Sequence, residues 1–220
     1  MAQPAQPKRK YNSTRRQAQA GETRRQIIAA ARVLFIERGY TGATIEAIAQ
    51  QAGVASETVF AIFGNKKAVL ASLIDLSVGG DEQPISLLQR PGPQAVLQEH
   101  DAVRQLNLFA QDISTILERV APIFEIMRVA AKTEPDIASL LEKRLQQRLL
   151  NLTVLVSRLS AHTPLRSGIS EEQAAETVWA ITSPELFNLL VVDRGWSLEQ
   201  YRQWLADALV RLLLPDATIS

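Results

Sequence analysis

Apolar residues recur along this chain at three- and four-residue steps, the period of one helix face, and no stretch alternates with the two-residue period of a strand. From about Thr23 to Arg38, Ile27, Ala31, Leu34 and Phe35 form one such stripe, and Gly39 closes it. Thr44 is placed to cap a short helix with Ile45, Ile48 and Ala49 inward. Gly53 stands where the chain must turn, since glycine alone takes a left-handed backbone without steric cost. Val54 then plugs the corner, and Ser56 is expected to N-cap a second short helix with Glu57 and Thr58 in its first turn. Val59, Ile62 and Phe63 point inward on that helix, which leaves Ser56, Glu57, Phe60 and Ala61 outward. Gly64-Asn65 ends it, and a helix over Lys66–Val78 follows, with Val69, Leu70, Leu73 and Ile74 inward.

Further along, Gly79-Gly80, Pro84 and Pro91-Gly92-Pro93 mark a break of roughly fifteen residues. Helical periodicity resumes over Gln94–Val120, with a break near His100, and a separate segment runs from Pro122 to Ala131. Thr133-Glu134-Pro135-Asp136 opens a long helix to about Leu159. Ser170-Glu171-Glu172 caps another to about Ile181, Ser183-Pro184-Glu185 restarts the chain, and a last helix spans about Leu198 to Leu214 before Pro215. The expected fold is all-α. Its parts are a basic flexible arm over 1–21, a three-helix head over 22–70 and a larger helical body over 71–220.

Two short helices joined by a glycine turn make a helix-turn-helix, whose second helix fits the DNA major groove. Charge supports that reading. Through Leu70 there are 11 Lys/Arg against 4 Asp/Glu, a net of +7; the remainder holds 13 against 19, a net of −6. A basic head on an acidic body is the electrostatic footprint of a DNA-binding unit. Lys66 and Lys67 sit at a helix N-terminus, where the dipole disfavours cations, and a bound phosphate resolves the conflict. The arm's Lys8, Arg9, Lys10, Arg15 and Arg16 either follow the phosphates and minor groove or form a solvated tail.

The head residues TRRQIIAAARVLFIERGY, T-I-x-x-I-A-x-x-A-G-V and T-V-F-x-x-F-G-N-K-x-x-V-L, in that order over Thr23–Leu73, resemble the DNA-binding domain of the TetR family of transcriptional regulators. The resemblance covers about a quarter of the chain. It implies a DNA-binding regulator, usually a repressor, released from a palindromic operator when a small molecule fills the body. It also implies backbone contacts by basic residues near the first helix's start, here Arg24. On this reading Ser56, Glu57, Thr58, Phe60 and Ala61 face the groove or its rim, while Thr44, Lys66, Lys67 and Arg24 hold phosphates. One departure stands out: the family usually has Tyr at Phe60 and His or Tyr at Ile62, and Phe60 cannot donate to a phosphate.

In the body, Leu106, Phe109, Ile113, Phe124, Met127, Trp179 and Phe187 are the candidates to line the ligand pocket that the resemblance implies; the alternative for each is filled core. A largely apolar ligand is expected, with Asn107, Asp112, Arg128 and Thr182 as polar groups to orient it. The last two helical stretches, carrying Phe187–Val192 and Tyr201–Leu213, are too apolar for a lone monomer surface, and a homodimer through them is expected.

The chain has no cysteine, which excludes disulfides and thiolate chemistry. No signal peptide or 18-residue apolar run is read, and a cytoplasmic location is expected. Two rival classes remain. His100-Asp101 matches the HD pair of metal phosphohydrolases, but the one other histidine is His162, and a metal needs three or four converging ligands. No phosphate loop or nucleophile elbow occurs, so neither an enzyme nor a cofactor is expected. An architectural DNA-binding protein would also carry a basic arm and head, but has no need of a large acidic body.

Overall fold

Ten α-helices and no strand make up the computed structural model, which describes residues 11–215. The chain divides into two compact units, the first ending at Leu73 and the second beginning at Ile74. The boundary falls inside helix α4 (Lys66–Gly79).

The head is built from α1 (Tyr11–Gly42), α2 (Ile45–Ala52), α3 (Ser56–Phe63) and the first part of α4. Helix α1 starts well before the expected Thr23, so the flexible-arm reading is corrected for residues 11–21. Gln, Ala and Arg there are good helix formers, and the single Gly21 costs only about 1 kcal/mol inside a helix. Residues 1–10, with Lys8, Arg9 and Lys10, lie outside the described range. The helical backbone breaks at Gly39 (φ 68°, ψ 178°). Ile27, Ile28, Ala31, Leu34 and Phe35 on α1 are buried, as are Ile45, Ile48, Val59, Val69 and Leu70 on the helices that follow, and α1 packs on α2. At roughly 1.5–3 kcal/mol per large apolar side chain, this cluster is what makes three short helices hold together.

In the body, Arg90 precedes α5 (Pro91–Gln98), in which Pro91 takes the first-turn position where its missing N–H costs nothing. The expected break near His100 separates α5 from α6 (Ala102–Ala131), capped by Asp101. The separate segment expected from Pro122 does not exist: α6 runs straight through that proline. An interior proline costs about 3 kcal/mol, and the burial of Val120, Ala121, Ile123, Phe124 and Met127 around it outweighs the loss. Then come α7 (Pro135–Ser160), α8 (Glu171–Ile181), the single turn α9 (Pro184–Phe187), a π-helical turn over Asn188–Asp193 and α10 (Leu198–Leu213). Ser170 and Ser197 each form a reciprocal capping box, with Gln173 and Gln200. Helix α6 packs against α10, α7, α9 and α5, and α7 packs against α8. Among the described residues no helix is long and apolar enough to cross a membrane.

Candidate nucleic-acid interface

Helix α2 begins at Thr44, whose side-chain oxygen accepts from the Ala47 N–H at 3.1 Å. The Glu46 carboxyl beside it is held below its usual range by its own backbone N–H and by the Thr44 hydroxyl. Thr44 is thus both an exposed rim residue and a working cap.

The turn after α2 is closed by backbone alone. Gly53 sits at φ 68°, ψ 32°, its N–H reaching Gln50 O, while the Val54 N–H reaches Ala49 O at 3.0 Å. This pair of bonds is a Schellman arrangement, which satisfies the last carbonyls of α2 and fixes where α3 departs. The expected Ser56 cap is corrected here. Ala55 is the capping residue, without a side-chain bond, and Ser56 is the first helical residue. The three-residue turn brings the chain back to helix one position early, so Thr58 N–H bonds Ala55 O instead of a serine oxygen.

Helix α3 buries Val59 and Phe63, with Ile62 half-buried. Its opposite face presents Glu57, Phe60 and Ala61 to solvent, flanked by half-buried Ser56 and Thr58. Phe60 is 48% exposed, an unusual place for a phenyl ring and the largest apolar group on this face. Gly64 (φ 78°) stops α3, and Asn65 Oδ1 then accepts from the Ala68 N–H at 2.8 Å at the start of α4.

The basic candidates are more engaged than sequence implies. Lys66 Nζ donates to Tyr40 O at 2.7 Å and lies 4.2 Å from the centre of the Tyr40 ring. Its charge is therefore balanced partly by the carbonyl end of α1, which offsets the unfavourable dipole of α4 without any phosphate. Arg24 Nη2 donates to Ser72 Oγ at 2.8 Å, and its guanidinium stands 4.6 Å over Phe63. Arg24 ties α1 to α3 and α4, and so holds the presenting helix in place. Tyr40 and Ser72 escaped sequence reasoning because their partners lie 26 and 48 residues away. Lys67 is half-buried at the same edge.

The body's candidate pocket residues divide into two groups. Leu106, Phe109, Phe124, Met127 and Phe187 are buried; Ile113 and Trp179 are half-buried. Leu106 and Met127 are 21 positions apart on α6, about 30 Å at 1.5 Å per residue. One small ligand cannot touch both ends. Phe124 and Met127 on α6 and Phe187 on α9 belong to the end where these two helices meet, through the Arg128–Glu185 ion pair. His100 and His162 come together, their rings 4.6 Å apart. No group of three or more metal-ligating side chains occurs among the described residues.

A small all-helical head that presents an exposed helix after a glycine turn, joined to a larger helical body, defines a helix-turn-helix regulator. Residues 27–73 match the pattern of the bacterial regulatory proteins of the tetR family. The HTH-type transcriptional repressor BepR of Brucella suis biovar 1 (strain 1330) is 27% identical over 211 residues, covering 93% of this chain and 98% of that protein. The fold is shared with NalD, the secondary repressor of the MexAB-OprM multidrug efflux pump in Pseudomonas aeruginosa. The TM-score is 0.68 at 22% identity, covering 90% of this chain and 100% of that one. It is shared also with SmeT, the repressor of the Stenotrophomonas maltophilia multidrug efflux pump SmeDEF, with TM-score 0.66 at 18% identity, covering 90% and 95%. The chain is thus a DNA-binding transcriptional regulator whose head matches the TetR family.

Proposed function

We propose that this protein is a repressor that binds a palindromic operator as a homodimer in the cytoplasm and is released when a small molecule occupies its body. The observation that carries the reading is the outward face of α3: Glu57, Phe60 and Ala61 exposed on a helix whose other face is locked into the core. Glu57 is suited to accept from a cytosine amine, and Ala61 and Phe60 to touch thymine methyls. Thr44, Lys67 and Lys66, the last anchored on Tyr40, supply the phosphate-facing edge. Arg24 contributes from its seat on Phe63. Repression is supported by the 27% identical relative, which is named as a repressor.

Dimerisation is supported by the outer side of α10. Trp204, Ala208 and Leu212 line an apolar groove there, flanked by Asp207 and Arg211. These residues recur at four-residue steps, so they form one continuous stripe. A single eight-residue recognition helix reads few base pairs, and a two-fold pair doubles the contacts.

The test is selection of bound sequences from a random duplex pool at physiological salt. An enriched palindrome is expected. Binding without enrichment would instead indicate an architectural protein that contacts phosphates alone.

A further inference from the structure

We propose that the body binds small organic anions, aromatic carboxylates in particular, through Arg148 on α7 and Tyr201 on α10. The proposal rests on the reading that the body takes a ligand, and it names that ligand's chemistry.

Arg148 lies where α7 meets α8. Its Nη2 donates to the Trp179 carbonyl and, at 2.9 Å, to Thr182 Oγ1. Both acceptors are neutral, and both bonds leave from the same nitrogen. The guanidinium also stands 5.2 Å from the centre of the Trp179 ring. No carboxylate among the described residues pairs with it: the nearby Glu185 is taken by Arg128. Arg148 therefore stands in a partly buried place without a carboxylate of its own. Burial pushes the Arg148 pKa down to about 10, with the Arg128 charge acting in the same direction. The group still carries its proton at neutral pH, and it is short of a counter-charge.

Capping the end of α8 accounts for Nη2 of Arg148, but not for what surrounds it. Tyr201 is 0% exposed, and its hydroxyl has no hydrogen-bond partner. Burial pushes the phenol pKa upward, so the group stays a neutral donor. Arg148 and Tyr201 are close enough for their charges to influence one another. The Trp179 indole N–H is a second buried donor without an acceptor. Buried donors of this kind are normally satisfied, and here two of them lie beside an arginine that has no carboxylate partner. A cation would be repelled, and a neutral hydrocarbon would leave each donor unpaired. A carboxylate supplies both the negative charge and the acceptors, with bidentate geometry available at the guanidinium. The surroundings suit an aromatic body: Phe187 meets Tyr201 edge-on at 5.0 Å, and Trp204 lies 5.8 Å from it.

The experiment is calorimetric titration of the full chain at pH 7 with 2-naphthoate and with 2-naphthamide, which share a shape and differ in charge. The carboxylate is expected to bind at least tenfold more tightly, and Arg148→Met to erase the preference. Because Arg148 also caps α8, Tyr201→Phe is the second variant. Its lost hydroxyl has no protein partner, so the melting temperature should hold while naphthoate affinity drops severalfold. Equal binding of both probes would overturn the anion preference and leave ligand binding standing. So would a preference that survives both substitutions in folded protein. Binding of neither probe would remove the ligand reading and this proposal together.

Discussion

Arg119 on α6 grips the end of α4: its Nε donates to the Ser77 carbonyl at 2.9 Å, and its Nη2 to that of Val78 at 3.3 Å. These are among the last carbonyls of α4, which lack partners within their own helix and lie at its negative pole. The helix that leaves the head is thus anchored, at its far end, by a charged group of the body. Gly80 adopts φ 81° immediately beyond, and a β-carbon there would meet Arg119 Nη2 at 3.4 Å. Replacing Arg119 by Ala strips a charged donor from two carbonyls and should cost about 1–3 kcal/mol of stability. Chemical denaturation followed by helical circular dichroism checks this; an unchanged midpoint would mean that water replaces the guanidinium without loss.

Asp112 offers a pH test in the same unit. Its carboxyl is pressed against the start of α5, where a β-carbon on Gly92 would collide with Oδ1. Burial raises its pKa, and the Arg119 charge only partly opposes the rise. The folded state therefore holds this proton more tightly than the unfolded chain. Its contribution to stability is present in acid, below the ordinary aspartate range, and is lost as pH climbs through the raised value. Asp112→Asn should raise the melting temperature at pH 7, and the gain should shrink as pH falls toward 4. A gain that stays constant with pH would remove burial of the charge as its cause.

Phe60 is one of two positions, with Ile62, at which the head departs from the pattern it resembles. The ring is half exposed, so a hydroxyl added at its tip stays in solvent and leaves the core untouched. Phe60→Tyr should tighten binding at every operator alike, by about 1.5 kcal/mol for a hydrogen bond to a charged phosphate, roughly tenfold. Base preference should not change. Fluorescence anisotropy on the selected palindrome and on a scrambled duplex measures both quantities. A gain confined to the palindrome would place this ring on bases, not on phosphate.

Leu212 tests the dimer. It is 39% exposed at the α10 groove, where a second copy would cover it. Leu212→Glu should leave the monomer fold intact, since the side chain already meets solvent, while sedimentation shows half the wild-type mass. Operator affinity should fall at least a hundredfold as the two half-sites lose their link. A wild-type mass for this variant would move the interface to another face.

Much of the head was legible before any coordinates. Thr44, Gly53 and Gly64 announce their roles because capping and left-handed turns are local events, decided within four residues of chain. The serine starts at Ser170 and Ser183 were readable for the same reason. Ser56 misled, since the length of a turn depends on how its backbone bonds close, and a serine reads as a cap wherever it stands near a helix start. Pro122 misled in the other direction: its local cost is real, but it is outweighed by core contacts that the sequence does not display.

The sequence by itself determined the all-helical class, the helix-turn-helix and the outward set on α3, because periodicity and turn chemistry depend on near neighbours. Only tertiary structure decided what the cations do. Lys66 meets Tyr40, Arg24 meets Phe63 and Ser72, Arg119 meets Ser77, and Arg148 meets Thr182 across separations of 26 to 48 residues. A long flexible side chain reads alike in sequence whether it ends in water, on a phosphate or on a distant carbonyl. The packing of helices chooses among these.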